Sequence, residues 1–438
     1  MRTFPMWVDG KALESSETYD LRLPYDGSPT ARVVAGDEAS FDAACAAAER
    51  GASEMASLSN AERSDLLLRV AGLLEQNSSE FAELLMLETG KPIQEARIEA
   101  ARGYQTLIAS AIAARELTGE AIPIDAAPVG KGRYAITIRQ PIGIIGAITP
   151  FNLPLNLALH KVGPALAGGN AVIQKPAELT PLTAIRLAEL FSEAGAPAGA
   201  YNVITGKSSV LGKRFVEDAT IRMITFTGSA KVGKEIRASS GLKRVTLELG
   251  GNCGLIIDRD ADLDEVVDRA VQGSYLHSGQ TCISIQRIYV HKDLAENFVR
   301  RFTAAVQALR IGHPGSEDTQ VSSMISVSEA ERVEAWVAEA VQQGAELVVG
   351  GKRTRATVSP AVLRNVTKSS RLSCDEAFGP VVAVNIFDDL NEAIADVNDT
   401  PYGLQAGIYT RDLRRAFDTG AKAPGGWRDD QRHPWIPR

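Results

Sequence analysis

The chain has 438 residues, which is too many for one compact core, so two or three domains are expected. Its formal net charge of −7 argues against proteins that bind nucleic acid or membrane surfaces, because those partners attract basic patches. No run reaches the ~20 apolar residues of a membrane span, and residues 1–9 lack the apolar core of a signal peptide, so a cytoplasmic protein is expected.

The first predicted elements are amphipathic helices between Glu38 and Arg115. Within them, residues 61–74 repeat apolar side chains at intervals of three and four. From Ile142 onward the pattern changes to short apolar runs separated by helical stretches. These runs are residues 142–148, 171–175, 200–204 and 223–226. Buried parallel strands joined by crossover helices have this pattern.

Residues 131–140 differ from these runs because polar and apolar side chains alternate, which predicts a strand with one face in solvent. Further along, apolar runs at residues 255–257, 287–290 and 381–384 predict a second block of strands and helices. The predicted fold class is therefore α/β, with two parallel sheets in separate domains.

Cys282 is the predicted nucleophile. The run Ser278–Ser284 frames it with glycine and small hydroxyl residues, so a substrate can reach the thiol and attack can come from its thiolate. An inert buried thiol is the alternative, but it gives no reason for Gly279, Gln280 and Thr281 beside it. The four cysteines of the chain are widely spaced without a Cys-x-x-Cys pair, which predicts reduced thiols and no metal site.

Glu248 is the predicted general base. It ends a strand-like run, residues 245–247, and stands shortly before the flexible pair Gly250 and Gly251. A carboxylate in this position can take a proton from a bound reactant. A helix-capping or solvated carboxylate is the alternative.

A Gly-Ser turn at Gly228 and Ser229 lies between a predicted strand and a predicted helix. The N–H groups and the dipole of a helix N-terminus at such a turn favour a pyrophosphate. The segment lacks the Gly-x-Gly-x-x-Gly fingerprint. From Gly228 to Lys234 it matches the phosphate-binding loop of nucleotide hydrolases, but Glu235 stands where that loop needs a Ser or Thr for Mg²⁺. A nucleotide hydrolase is therefore disfavoured.

These segments resemble the NAD(P)-dependent aldehyde dehydrogenase superfamily. Further motifs occur in the order of that family and at roughly its spacing. They are Pro150–Pro154, Lys175–Glu178, Phe226–Ser229 and Glu376–Pro380. The resemblance runs from Trp7 to about Gly426. Residues 274–277 and 285–290, on either side of the nucleophile, look most like the lactaldehyde and phosphonoacetaldehyde dehydrogenase-like branch.

The resemblance implies two doubly wound parallel-sheet domains and a small β arm. Residues 1–119 and 141–249 would form a discontinuous, Rossmann-like NAD(P)-binding domain. Residues 120–140 would form the oligomerisation arm of a homo-oligomer. Residues 250–426 would form the catalytic domain, which meets the first domain at a cleft that holds Cys282.

The resemblance also assigns catalytic roles. Cys282 would attack the carbonyl of a small-molecule aldehyde. The developing alkoxide would be held by the Asn152 side-chain amide and the Cys282 N–H, and one such donor is worth roughly 3 kcal/mol. Hydride would pass to the nicotinamide, and Glu248 would activate the water that hydrolyses the thioester. Asn152 as a plain turn residue before Pro154 is the alternative.

The expected cofactor is NAD, with NADP as a second possibility. The family's cofactor contacts fall on Lys175, Glu178, Gly228, Ser229, Gly233, Glu376 and Phe378. Glu178 favours NAD because a carboxylate accepts hydrogen bonds from a ribose 2′-OH and repels a 2′-phosphate. For Lys175 and Glu178 the alternative is an exposed pair before a helix that opens at Thr180 and Pro181.

Asn156 and His160 follow Asn152 by four and eight residues, on the same face of a predicted helix. Family members place substrate-tunnel residues there, and Thr281 beside the nucleophile is assigned to the tunnel with them. Because these side chains are polar, a small, hydroxylated or anionic aldehyde is expected. A structural role for His160 is an equal alternative.

The resemblance stops at residues 423–426, and residues 427–438 form a polar tail without helix or strand period. Family members continue there with a Gly-rich loop and a final strand. One permitted coding of residues 427–436, read one base later, gives Gly-Val-Met-Ile-Asn-Asp-Ile-Pro-Gly-Phe, so a frame change would explain the tail. A naturally divergent tail is the alternative. The altered tail is expected to disturb assembly and activity.

Two other functions compete with an aldehyde dehydrogenase. The first is a catalytically impaired remnant that lacks the final strand. The second is a cysteine hydrolase that uses Cys282 without a cofactor, which predicts ester cleavage and no binding of NAD(P).

Overall fold

The computed structural model describes residues 1–422, and the chain forms two compact units. Unit 1 comprises Met1–Arg22, Pro29–Glu88 and Ala96–Glu248, and unit 2 comprises Leu23–Ser28, Thr89–Glu95 and the chain from Leu249 onward. The predicted aberrant tail, residues 427–438, lies outside the described residues.

Two short segments group with unit 2, although the sequence analysis placed them in the NAD(P)-binding domain. In one segment, the Ile93 N–H donates to the Pro314 carbonyl at 2.8 Å. In the other, the Tyr25 ring packs edge-on against His313, with 5.3 Å between ring centroids. Both contacts join residues that are far apart in sequence, so local patterns cannot predict them.

The first part of the chain forms elements that belong mainly to unit 1. Its strands are β1 (Arg2–Phe4), β2 (Met6–Val8), β3 (Lys11–Leu13), β4 (Thr18–Arg22), β5 (Pro29–Val34), β6 (Ala121–Ile122), β7 (Ala135–Ile136), β8 (Ile144–Ile148), β9 (Ala171–Lys175), β10 (Tyr201–Val203), β11 (Ile221–Thr227) and β12 (Arg244–Glu248). Its helices are α1 (Glu38–Ser57), α2 (Asn60–Gln76), α3 (Ser78–Thr89), α4 (Ile93–Arg115), α5 (Pro154–Ala167), α6 (Leu182–Glu193), α7 (Ser208–Glu217) and α8 (Ala230–Ser239).

The predicted helices and buried strands of this region are confirmed. Asp37 begins α1 through a capping box with Ser40, and Ser59 begins α2 in the same way with Glu62. Every residue of β9 is buried, and α1 and α5 both pack against this strand. A strand covered in this way reads as a continuous apolar run.

The main sheet of unit 1 has the strand order β12-β11-β8-β9-β10-β2-β3. The strands from β12 to β10 pair in parallel, and β2 and β3 add an antiparallel edge. The chain runs from β8 through β9 to β10 on one side, then returns to place β11 on the other side of β8. Such a reversal is a topological switch point, and open α/β sheets bind ligands there, at the carboxyl ends of the strands.

Residues 120–140 form a small antiparallel pair of β6 and β7 joined by short 3₁₀ turns. The strand predicted for residues 131–140 is limited to Ala135–Ile136. Tyr134, Ile136 and Ile138 are largely exposed. Without a buried face to pack against, the alternating pattern gives no reason for a longer strand.

Unit 2 has eight strands in its described residues. Its strands are β13 (Cys253–Ile257), β14 (Ile285–His291), β15 (Glu346–Val349), β16 (Arg353–Thr354), β17 (Thr357–Val358), β18 (Ala361–Arg364), β19 (Val381–Phe387) and β20 (Ala406–Tyr409). Six of these form a second main sheet, and β16 and β17 form a separate pair. Its helices are α9 (Leu263–Tyr275), α10 (Lys292–Gln307), α11 (Val327–Gln342), α12 (Arg371–Cys374), α13 (Leu390–Asn398) and α14 (Leu413–Lys422).

The six-stranded sheet of unit 2 has the order β15-β18-β19-β14-β13-β20 and is parallel except for β15. Its core includes the stacked rings of Phe298 and Phe302, 5.2 Å apart, which pack with Ile288, Val290 and neighbouring apolar residues. Because β13, β14 and β19 are adjacent and parallel, their amino ends lie at one edge of the sheet.

Candidate active site

The predicted site residues of unit 1 collect at the carboxyl edge of its parallel sheet. Asn152 follows β8, Lys175 ends β9, Gly228 follows β11, and Glu248 ends β12. In the register, Glu248 lies opposite Thr227, the last residue of β11. These residues therefore surround the topological switch point, which is where a dinucleotide-binding sheet holds its ligand.

The Gly-Ser turn begins α8 as the sequence predicts. The Ser229 hydroxyl accepts from the Val232 N–H at 3.4 Å and caps the helix. A Cβ on Gly228 would lie only 2.6 Å from the Phe226 ring, so a larger residue there would force the ring or the turn to move. The Gly228 N–H already donates to the Glu248 carbonyl at 3.0 Å. Because this N–H is already used, the donors for a pyrophosphate would be the N–H groups at the N-terminus of α8.

Gly233 lies one turn further along α8 and is buried. Its N–H donates to the Ser229 carbonyl at 3.0 Å, as an ordinary helical hydrogen bond. Gly233 thus lies inside the helix, where a small residue permits close packing.

Lys175, the last residue of β9, and Glu178, just after this strand, lie in different environments. Lys175 is buried, and burial lowers the pKa of its ammonium to about 8, against the attraction of Glu178. The Glu178 carboxylate accepts from the Ser208 N–H at 2.6 Å, at the first residue of α7. Glu178 therefore also stabilises a helix N-terminus.

The alternative explanation for this segment, a helix capped at Thr180 and Pro181, needs correction. Helix α6 starts at Leu182, and its N-cap residue, Pro181, makes no side-chain hydrogen bond to the helix. Instead, the buried Glu88 carboxylate accepts from the Leu182 N–H at 2.7 Å. The cap comes from a residue far away in sequence, which sequence reasoning did not find.

Lys161 is a buried cation that the sequence analysis missed. Its Nζ atom donates to the hydroxyls of Thr227 at 2.7 Å and Thr225 at 3.2 Å. Burial lowers its pKa to about 8, against the attraction of Glu248. Lysine is rarely buried, so its place among the apolar residues of α5 was the available signal.

The proposed tunnel residues of α5 do not share one environment. The Asn156 side chain is buried, and its Oδ1 accepts from the Thr106 hydroxyl on α4 at 3.0 Å. His160, one turn later, is exposed in the described chain. Helical spacing placed the two residues correctly on α5, but the neighbouring helix α4 covers only one of them.

In unit 2, the residues before Cys282 form a strained turn. His277, Ser278 and Gly279 have φ angles of 49°, 53° and 72°. The left-handed region is costly for residues other than glycine, and such strain persists only where the surroundings enforce it. The structure therefore holds three consecutive left-handed residues directly before the segment that carries the predicted nucleophile.

Hydrogen bonds of the Ser278 and Gln280 side chains hold this turn. The Ser278 hydroxyl donates to the Ser322 carbonyl at 3.0 Å. The Gln280 side chain donates to the His277 carbonyl at 3.2 Å and accepts from the Ile325 N–H at 2.8 Å. The buried amide of Gln280 thereby fixes the start of the segment that carries Thr281, which is buried, and Cys282.

Comparison of the cysteines favours Cys282 as the nucleophile. Burial raises the pKa of Cys45 and of Cys253 to about 12, so both remain protonated thiols. The Cys374 thiol donates to the Lys368 carbonyl at 3.0 Å. Cys282 is only half-buried and follows the strained turn.

Glu376 and Phe378 lie beside the amino ends of β13 and β19. The Gly251 N–H donates to the Glu376 carboxylate at 3.0 Å, and a Cβ on Gly250 would lie 2.1 Å from that carboxylate. Burial raises the pKa of Glu376, an effect that the hydrogen bond from Gly251 opposes. Phe378 has a φ of 44°, so it also lies in the strained left-handed region.

Membrane-spanning helices and metal clusters are both absent from residues 1–422. No helix in this range is long and apolar enough to cross a membrane. No group of three or more His, Cys, Asp or Glu side chains in this range is placed to hold a metal ion.

Comparisons with known proteins point to one family. A model of the aldehyde dehydrogenase family matches residues 7–426. The chain is 42% identical over 417 residues to a 3-sulfolactaldehyde dehydrogenase of Priestia aryabhattai, covering 95% of this chain and 87% of that protein. It is 36% identical over 415 residues to a lactaldehyde dehydrogenase of Methanococcus aeolicus, covering 94% and 86%. A solved NAD-dependent aldehyde dehydrogenase of Sinorhizobium meliloti has a TM-score of 0.93 at 34% identity, covering 96% and 85%.

Proposed function

Because the chain belongs to the aldehyde dehydrogenase family, we propose that it oxidises a small hydroxylated or anionic aldehyde to its carboxylate, with NAD as hydride acceptor. The observation that carries the chemistry is the Cys282 thiol after a turn of left-handed residues. The substrate class is supported by the named substrates of two relatives, 3-sulfolactaldehyde and lactaldehyde. The exposed, polar side chain of His160 agrees with that class.

The residues at the switch point of unit 1 fit a dinucleotide. Ser229 follows β11 and caps α8, whose N-terminus suits a pyrophosphate. Two strands away in the sheet, Lys175 ends β9 and Glu178 lies just after it. In unit 2, Glu376 and Phe378 are assigned to the nicotinamide half. When bound, NAD supplies the carbon that accepts the hydride.

The residues of this chain would act in sequence. The Cys282 thiolate adds to the aldehyde carbonyl and forms a thiohemiacetal, whose alkoxide accepts hydrogen bonds from the Asn152 amide and the Cys282 N–H. Loss of hydride leaves a thioester on Cys282. Glu248 then takes a proton from water, the resulting hydroxide adds to the thioester, and the thiolate leaves as the carboxylate is released.

Glu178 supports a preference for NAD. A carboxylate can accept a hydrogen bond from the ribose 2′-OH, whereas a 2′-phosphate would be repelled. Because Glu178 also accepts from the Ser208 N–H, its position is fixed before a cofactor binds.

Further proposals concern assembly and location. We propose that residues 120–140 contact a second copy of the chain, because Val129, Tyr134, Ile136 and Ile138 are exposed there. We also propose a cytoplasmic location, since the four cysteines form no disulfide among residues 1–422.

The test is formation of reduced cofactor by the purified protein. A panel should contain lactaldehyde, 3-sulfolactaldehyde, succinate semialdehyde and bulky apolar aldehydes, each with NAD and with NADP. Cys282→Ala should abolish turnover but retain NAD binding in calorimetry, because it removes the nucleophile and no proposed cofactor contact. Turnover by Cys282→Ala, or a preference for the bulky apolar aldehydes, would refute the proposal. Ester cleavage without NAD binding would identify a cysteine hydrolase instead.

A further inference from the structure

The peptide of Ala377, between the two proposed nicotinamide contacts, is held on both sides. Its N–H donates to Oε1 of Gln286 at 2.6 Å. Its carbonyl accepts from Nη2 of Arg332 at 2.8 Å. Ala377 itself is buried, so neither bond competes freely with water. We call Gln286 and Arg332 the Ala377 clamp.

Gln286 also ties this peptide to the loop before β13. Its Nε2 atom donates to the Gly251 carbonyl at 2.8 Å, while the Gly251 N–H donates to Glu376. The buried side-chain amide of Gln286 therefore donates to the loop before β13 and accepts from the segment of Ala377, and so joins the two. Gln286 lies on β14 four positions after Cys282, so the clamp starts from the strand that follows the nucleophile.

Arg332 is fixed from its own helix, α11. Its Nε atom donates to Glu329 at 2.8 Å, and its guanidinium lies 4.8 Å from the centroid of the Trp336 ring. The planar fork is therefore oriented before it reaches Ala377. Burial raises the pKa of Glu376, and the positive charge of Arg332 opposes that rise.

The clamp explains how the strained residue next to it is kept in place. Phe378 has a φ of 44°, a strained conformation that persists only where the surrounding structure holds it. The next residue, Gly379, fits closely, since a Cβ there would lie 2.6 Å from the Val333 side chain. A Cβ on Gly279 would lie 2.2 Å from the Gly379 carbonyl. The segment after the clamp therefore packs against the turn before Cys282.

We infer that Gln286 and Arg332 are positioning residues, which hold Glu376 and Phe378 in the conformation that receives the nicotinamide half of the cofactor. The inference rests on the proposed function, because Glu376 and Phe378 have their cofactor role from it. Neither clamp residue is assigned a contact with substrate or cofactor. Losing the clamp should affect cofactor alignment, while the reactivity of the thiol should remain.

The first experiment compares wild type with Gln286→Met, which keeps side-chain length and removes both hydrogen bonds. Calorimetry should show weaker binding of NAD and unchanged binding of AMP, which lacks the nicotinamide half. The kcat/KM for NAD should fall by roughly 10-fold to 100-fold, the range for a misplaced reacting group. Alkylation of Cys282 by iodoacetamide without cofactor should keep the wild-type rate.

Arg332 gives a second, graded series. Arg332→Met should resemble Gln286→Met, whereas Arg332→Lys keeps a cation that can donate to Ala377 and should recover part of kcat/KM. Glu329→Gln leaves the bond from Arg332 to Ala377 in place and should lose less than Arg332→Met. Equal losses in all three variants would overturn the role of the Ala377 bond.

Val362→Ala is the control for stability, because it opens a cavity in a core cluster of unit 2 that does not contain Ala377. The inference is overturned if Gln286→Met binds NAD as wild type does, if AMP binding weakens equally, or if it loses no more kcat/KM than Val362→Ala. These outcomes differ from failure of the proposed function, which would appear as a wild-type protein without aldehyde turnover.

Discussion

Replacing Lys161 by methionine should change how the stability of the protein depends on pH. The pKa of Lys161 falls from 10.5 to about 8 in the folded protein, mainly because the ammonium is buried. A lowered pKa means that the folded state disfavours the charged form. Below about pH 8 Lys161 is protonated in both the folded and the unfolded state, and the folded state bears the full free-energy cost of the buried charge. Between about pH 8 and 10.5 only the unfolded state binds it, so the free energy of unfolding rises with pH.

The size of the effect follows from the shift. At 1.36 kcal/mol for each pKa unit, the buried charge costs about 3 kcal/mol below pH 8. The methionine side chain would relieve this cost but would also leave the hydroxyls of Thr225 and Thr227 without their donor. Two such hydrogen bonds contribute about 1 kcal/mol each. Lys161→Met should therefore be slightly more stable than wild type near pH 7 and less stable near pH 10.

Urea unfolding of both proteins at several pH values measures this prediction. The quantity to compare is the difference in unfolding free energy between wild type and Lys161→Met. Lys175 titrates in the same range but is present in both proteins, so its contribution cancels. The difference should change by about 2 to 3 kcal/mol between about pH 7 and pH 10. A constant difference would refute the inference that Lys161 is a buried cation with a lowered pKa.

Three further variants test the proposed site. Glu248→Gln should retain a rapid burst of reduced cofactor but lose steady-state turnover, because only deacylation needs the base; unchanged steady-state kinetics would remove Glu248 from the mechanism. Glu178→Gln should raise the ratio of kcat/KM for NADP to that for NAD, and should destabilise α7 by up to about 1 kcal/mol; an unchanged ratio argues against contact with the ribose. Gly228→Ala should weaken NAD binding in calorimetry, because its Cβ would meet the Phe226 ring at 2.6 Å; wild-type affinity would show that the turn can adjust.

The sequence by itself predicted the features that depend on local pattern. The strand at Ala171–Lys175 was predicted with the bounds that the structure has, because its apolar start, Ala171–Ile173, is typical of a buried parallel strand. Cys282 was also predicted as the nucleophile from its neighbouring residues, since glycine and small hydroxyl residues leave a thiol accessible. Family membership followed from short motifs in a fixed order, and the family match over residues 7–426 confirms it.

Only the tertiary structure could decide which distant groups complete each element. The cap of α6 comes from Glu88, and Lys161 is a buried donor to the end of β11. The clamp on Ala377 joins β14 to α11 through Gln286 and Arg332. Each of these contacts depends on folding that brings distant segments together, and no periodicity in the sequence records which buried polar groups will meet. A buried polar group needs a hydrogen-bond partner, but only the three-dimensional arrangement determines which residue is that partner.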